Sequence, residues 1–95
     1  MSSRTPDEYV DRATDSTASD ANRKEAIHAL ETANECDELA ALVRDHDIEA
    51  QFRHEALEAM GTPQCADTLQ LLVDEDVLDS EMQSSAVEIL DRTRT

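Results

Sequence analysis

The sequence predicts an all-α protein, a short α-solenoid of about six helices arranged as stacked hairpins. Three observations predict it. Ala, Glu and Leu are abundant while the chain holds one Gly, two Pro, and just Tyr9 and Phe52 as aromatic residues, a composition that suits helices better than sheets. The apolar residues fall at helical spacing, as in Ala26-Ile27-Leu30 and Leu39-Leu42-Val43. The same pattern recurs at an offset of thirty residues: Ala26, Ala56 and Ala86; Ile27, Leu57 and Val87; Leu30, Met60 and Leu90; Leu39 and Leu69; Leu42 and Leu72; Val43 and Val73.

Start and stop signals set the elements in order. Thr5-Pro6-Asp7-Glu8 opens a short helix near 6–14. "TDSTASD" (14–20) has no apolar anchor and reads as a flexible linker. A long helix follows over 20–33. Asn34, with Asp37 three residues on, is the expected N-cap of a helix over 35–46. Asp47 is expected to open 48–60, and Gly61 to end it. Thr62-Pro63 gives an N-cap with proline at the first helical position for 63–75. Ser80 with Gln83 suggests a capping box for 80–93. The expected organisation is an N-terminal capping helix and polar linker over 1–19, then a repeat domain over 20–95. Within it a long A helix and a following B helix form each unit, and a lone A helix comes last. Such units bury their apolar stripes by stacking on their neighbours.

Charge bounds the function classes. Asp and Glu number 23 against eight Lys and Arg, a net charge of −15, and Lys24 is the single lysine. That surface repels phosphate backbones and anionic lipid, so neither nucleic acid nor membrane is an expected partner. Acid excess with lysine depletion throughout the chain fits adaptation to molar salt, as in a halophilic archaeon. "MSSRTPDEYV" lacks the apolar segment of a signal peptide, and the longest apolar run is "LAALV" (39–43). A cytoplasmic protein is expected, with Cys36 and Cys65 as reduced, packed thiols.

"RKEAIHALETANECDELAALVRDHDIEA" and "RHEALEAMGTPQCADTLQLLVDEDVLDSE" resemble HEAT repeats of the short, thirty-residue type found in phycobilin lyases and in deoxyhypusine hydroxylase. The resemblance covers residues 20–93 and implies a binding scaffold. Residues 52–72 are also similar to a deoxyhypusine hydroxylase repeat. That likeness implies His54 and Glu55 as iron ligands, and an iron-binding relative or fragment of a di-iron enzyme as the alternative function.

The residues themselves argue for the scaffold. One repeat away, the places of His54-Glu55 are held by Lys24-Glu25 and Ser84-Ser85, so one pair stands where a di-iron centre needs several. Phe52, Ala56, Leu57 and Met60 define the buried direction of that helix, which turns His54 and Glu55 outward. No close Cys/His spacing, phosphate loop or hydrolase motif is present. No enzyme activity, cofactor or metal is expected. The expected function is a non-enzymatic protein–protein interaction module contacting another protein through outward B-helix residues: Glu38, Ala41, Arg44, Asp45, Thr68, Leu71 and Asp74. The last helix, left without a following unit, offers Val87, Ile89 and Leu90 for self-association as a homodimer.

Overall fold

The computed structural model describes residues 5–94. Six α-helices follow one another: α1 (Pro6–Thr14), α2 (Asp20–Thr32), α3 (Cys36–Arg44), α4 (Ala50–Ala59), α5 (Ala66–Glu75) and α6 (Ser80–Arg94). A single 3₁₀ turn, Pro63–Cys65, precedes α5. Among the described residues there is no strand, so the all-α expectation holds.

The helices pair differently from the expected A–B grouping. α1 packs on α2, α3 on α4 and α5 on α6. In a second direction α1, α3 and α5 lie side by side, as do α2, α4 and α6. The thirty-residue pattern therefore extends further forward than the apolar residues alone reveal. α1 takes the place of α3 and α5, with Ala13 buried at the position of Val43 and Val73. Phe52, Ala56, Leu57 and Met60 are fully buried, as the helical spacing requires, and each large side chain so buried contributes about 1.5–3 kcal/mol.

One polar contact recurs with the repeat. Arg23 Nε donates to the Ala13 carbonyl at 2.9 Å, Arg53 Nε to the Val43 carbonyl at 2.9 Å, and Gln83 Nε2 to the Val73 carbonyl at 2.9 Å. Each acceptor lies in the last turn of the preceding helix, or just at its end, where carbonyls lack a partner within the helix. The contact fastens the second helix of each hairpin to the end of the first. The two arginines are 2% and 7% exposed, and their remaining donors are treated differently. Arg23 reaches both carboxylate oxygens of Glu49, at 2.9 and 3.3 Å, and lies 3.9 Å over the Phe52 ring. Arg53 has a buried Nη2 with no hydrogen-bond partner. The residue thirty beyond Glu49 is Asp79, whose carboxylate instead accepts from the Met82 N–H at 2.9 Å and caps α6. Glu49 makes no side-chain cap of α4. The same position thus serves a bridge in one unit and a cap in the next.

Several expected caps move. Thr5 and Thr62 act as read, accepting from Glu8 N and Cys65 N. Asn34 does not cap α3. It takes the left-handed conformation, φ 58°, one residue past the C-cap of α2. Its N–H goes to the Glu31 carbonyl and the Glu35 N–H to the Leu30 carbonyl, a Schellman ending with asparagine in place of glycine. Asp47 does not open α4; its N–H bonds the Asp45 carboxylate and the helix starts after Glu49. Ser80 and Gln83 do not form the capping box, because Asp79 is the cap and Gln83 is drawn to Val73. Gly61 follows the end of α4 without a positive φ. A Cβ there would stand 3.0 Å from Ile89 Cγ2, so glycine lets α6 approach. Residues 14–20, expected as a linker, form a hydrogen-bonded turn. Asp15 accepts from the Thr17 N–H and hydroxyl, and Ser19 caps α2.

The cysteines require a correction. Cys36 and Cys65 are joined in a disulfide, with Cα atoms 5.3 Å apart and a sequence separation of 29. The residue thirty beyond Cys36 is Ala66, so Cys65 is one place out of register. The 3₁₀ turn before α5 is what sets it beside the first turn of α3. The bond also withdraws the thiol argument for a reducing compartment.

Two predictions follow from these contacts. Closing a loop of this length restricts the unfolded chain by about 3–4 kcal/mol in the chain-entropy account. A dithiol reductant should lower the denaturation midpoint, and a Cys36→Ser/Cys65→Ser protein should show the lowered midpoint with or without reductant. The second concerns acid. Glu49 is held below its usual carboxylate range first by the hydrogen bond from Arg23, and Asp15 by the hydrogen bonds from Thr17. Both are depressed in the folded chain, so their stabilisation is present above the unfolded pKa and lost as pH falls through the folded one. Glu35 is pushed up, chiefly by burial and then by Glu38 and Asp37; it works in the opposite sense and offsets part of the loss. Stability followed by circular dichroism should fall less steeply with acid in Glu49→Gln than in the parent. Identical acid limbs would rule the bridge out as a contributor.

Candidate interaction surface

The outward faces of α1, α3 and α5 form one side of the molecule, since these three helices pack edge to edge. Amphipathic spacing turns Leu39, Leu42 and Val43 of α3, and Leu69 and Leu72 of α5, inward, where all are buried. The opposite stripe is left to solvent. Ala41 and Asp74 are exposed, and Glu38, Arg44, Asp45 and Thr68 are half-buried. Leu71 is 57% exposed. It does not widen the core, and the repeat shows why it has no need to. Its counterparts at the same offset are Asp11 and Ala41, both exposed. The position faces solvent in every unit, and the last unit places leucine there.

Charges around Leu71 are partly spoken for. Arg44 donates from Nε and Nη2 to one Glu75 oxygen, at 3.1 and 2.7 Å, bridging α3 to α5. Gln70 donates from Nε2 to Asp74 at 2.9 Å and accepts at Oε1 from Arg94 at 2.9 Å, while Arg94 also reaches Asp67 at 3.5 Å. These exposed pairs fix side chains more than they stabilise the fold, each contributing roughly 0–1 kcal/mol. The result is a surface on which Leu71 is the large exposed apolar side chain among acids and hydrogen-bonded polar groups. A groove of about 510 Å³ lies at the α1 end, along Glu8, Asp11, Arg12, Asp15, Ala18 and Asn22. None of the expected contact residues lines it.

The other sequence-derived sites fall as follows. Glu55 is exposed and faces Lys24 of α2, Oε1 to Nζ 3.9 Å; His54 beside it is half-buried. His28 Nδ1 is 3.5 Å from Glu31, at a distance of three residues along its own helix. Among the described residues no three His, Cys, Asp or Glu side chains gather closely enough to hold a metal ion. Of the residues assigned to self-association, Ile89 and Leu90 are buried within the chain itself, at 3% and 6% exposure, whereas Val87 is 40% exposed. Helical rotation turns Ile89 toward Gly61 and α4, which removes it from any outer contact. The buried arginines were not picked out as structural residues from the sequence, although Arg23 and Arg53 stand thirty apart.

Protein-family models, curated proteins and solved structures were each compared with the chain, and none matches. No helix among the described residues is long and apolar enough to cross a membrane.

The metal question has a direct readout. Protein purified in high salt, without chelator or a histidine tag, should carry no stoichiometric iron by elemental analysis, and His54→Ala should leave the metal content unchanged. Iron that disappears in His54→Ala would establish the pair as ligands.

Proposed function

We propose that this chain is a non-enzymatic interaction module, a short α-solenoid of HEAT-like hairpins that binds another protein through the α1–α3–α5 side. The observation that carries the reading is Leu71, 57% exposed at a position that the other units fill with aspartate and alanine. A large apolar side chain ringed by polar groups matches the apolar-centre, polar-rim layout of a contact surface. Burying it in a partner contributes about 1.5–3 kcal/mol. Three further features support a scaffold of stacked hairpins. The pairing α1–α2, α3–α4, α5–α6 repeats, the side-chain bond to the preceding helix end repeats, and both layers keep the same neighbours along the chain.

Glu38, Ala41, Arg44, Thr68 and Asp74 share the outward stripe with Leu71 and complete the contact set. The polar character of Glu38, Arg44, Thr68 and Asp74 suits a rim around an apolar centre. The acid-rich composition supports a salt-rich cytoplasm as the setting, independently of the cysteines. It also directs the search for partners toward proteins rather than nucleic acid or membrane.

Leu71→Asp tests the proposal. The exposed site tolerates the charge, so helix content and melting temperature should stay within experimental error of the parent. Partners retained by the parent in pull-downs from concentrated-salt lysate should be lost or weakened roughly tenfold or more. Unchanged retention of every partner by the folded variant would sink this assignment.

A further inference from the structure

Two junctions join the three hairpins, and they are secured by different chemistry. At the first, between α1–α2 and α3–α4, the buried Arg23 of α2 grips both Glu49 oxygens at 2.9 and 3.3 Å and lies 3.9 Å over the Phe52 ring of α4. At the second, between α3–α4 and α5–α6, that clasp is missing. Asp79 and Met82 stand at the places of Glu49 and Phe52. Asp79 is spent on capping α6, and Arg53 Nη2 is buried without a hydrogen-bond partner. A buried cation left short of an acceptor weakens a junction rather than securing it. The last hairpin also packs on the middle one less extensively than the first hairpin does. What the second junction has instead is the Cys36–Cys65 bond, from α3 to the 3₁₀ turn before α5, where the first junction has Pro6 and Glu35. The Arg44–Glu75 pair crosses it too, but its side chains are 38% and 43% exposed, and salt screens it.

We infer that the Cys36–Cys65 bond is a redox latch. Closed, it holds the last hairpin to the middle one; opened by a dithiol reductant, it lets α5–α6 come away from α3–α4 while the first junction stays shut. The contact surface proposed above straddles this junction, with Glu38, Ala41 and Arg44 on α3 and Thr68, Leu71 and Asp74 on α5. Opening the latch therefore parts Leu71 from the α3 half of its surroundings. A surface that must be reassembled on binding has lower affinity than one already set. This control of binding rests on that surface being the contact site; the latch itself does not. The chemistry is two thiol–disulfide exchanges. Cys36 is half-buried and Cys65 is 1% exposed, so the reductant reaches Cys36 first. Its thiolate bonds to Cys36 Sγ as the Sγ–Sγ bond breaks, and Cys65 leaves with the electron pair and takes up a proton. The second reductant thiol gives up its proton and closes on the first, which releases Cys36 as a thiol and leaves the reductant as a cyclic disulfide.

Amide hydrogen exchange of the full chain in molar KCl tests the latch, on the oxidised parent, the parent reduced by dithiothreitol, and Cys36→Ser/Cys65→Ser. Reduction should speed exchange in α5 and α6 by roughly tenfold or more beyond any change in α1 and α2. The double-serine protein should show the reduced pattern with or without reductant. Unchanged exchange in α5 and α6 would overturn the inference. So would an equal acceleration along the whole chain, which marks a staple of the entire fold rather than a latch on one junction. Pull-downs from concentrated-salt lysate with its thiols blocked read the surface separately. Partners that the parent keeps and Leu71→Asp loses should be lost by the double-serine protein as well, and a partner that it keeps would overturn the control of binding. If no partner depends on Leu71, the contact surface fails, and the exchange pattern alone decides the latch.

Discussion

The bond from a side chain to the carbonyl of the preceding helix end is the contact on which the rest of the arrangement depends. Short helices of nine or ten residues, such as α1, α3 and α5, are marginal in isolation. They need tertiary partners, and their carboxyl ends need donors. Arg23, Arg53 and Gln83 provide these at 2.9 Å, from a point one turn inside the next helix. A donor at that place fixes the second helix of the hairpin against the end of the first. The stripes then have one register in which Ala26, Ala56 and Ala86 all sit at 0–2% exposure. Replacement of arginine by glutamine in the last unit retains the bond and removes a buried cation where no second carboxylate is supplied.

The contrast between Glu49 and Asp79 shows two demands competing for one residue. A carboxylate just before the second helix can bind the arginine of the previous unit or the first N–H groups of its own helix. Glutamate has the reach for the first, and Arg23 gains a two-pronged partner. Aspartate has the short side chain suited to the second, and α6 gains a cap. Arg53 is left with a buried, unpaired Nη2. Neither choice is visible as better locally; each unit resolves the competition by one methylene.

Much of the fold was legible because apolar type, spacing and offset all pointed to the same helices. The caps were less legible, since Asn, Asp and Ser serve several turn roles and tertiary donors decide among them. Asn34 supports a left-handed residue as readily as a cap, and Asp79 displaced Ser80 by a single position. The grouping into hairpins was misjudged because α1 carries Tyr9 and Arg12 where its counterparts carry leucines, and so disguises its place in the repeat. The disulfide was illegible for a geometric reason: a one-residue departure from register matters only once two first turns lie side by side. The outward stripe could be listed from helical rotation alone. That Leu71 stands clear of the core, and that Ile89 and Leu90 do not, required the packing.

The cross-link between the first turn of α3 and the 3₁₀ turn before α5 also changes the topology of the chain. Residues 36–65 become a closed covalent ring holding α3 and α4, with α1–α2 and α5–α6 attached as two open arms. Hairpins packed one against the next can open from the ends inward. Here that opening meets a barrier at the centre. Under tension applied to its termini, the molecule would give up the outer hairpins in turn, while the middle one bears no load that could extend it until the sulfur–sulfur bond is broken.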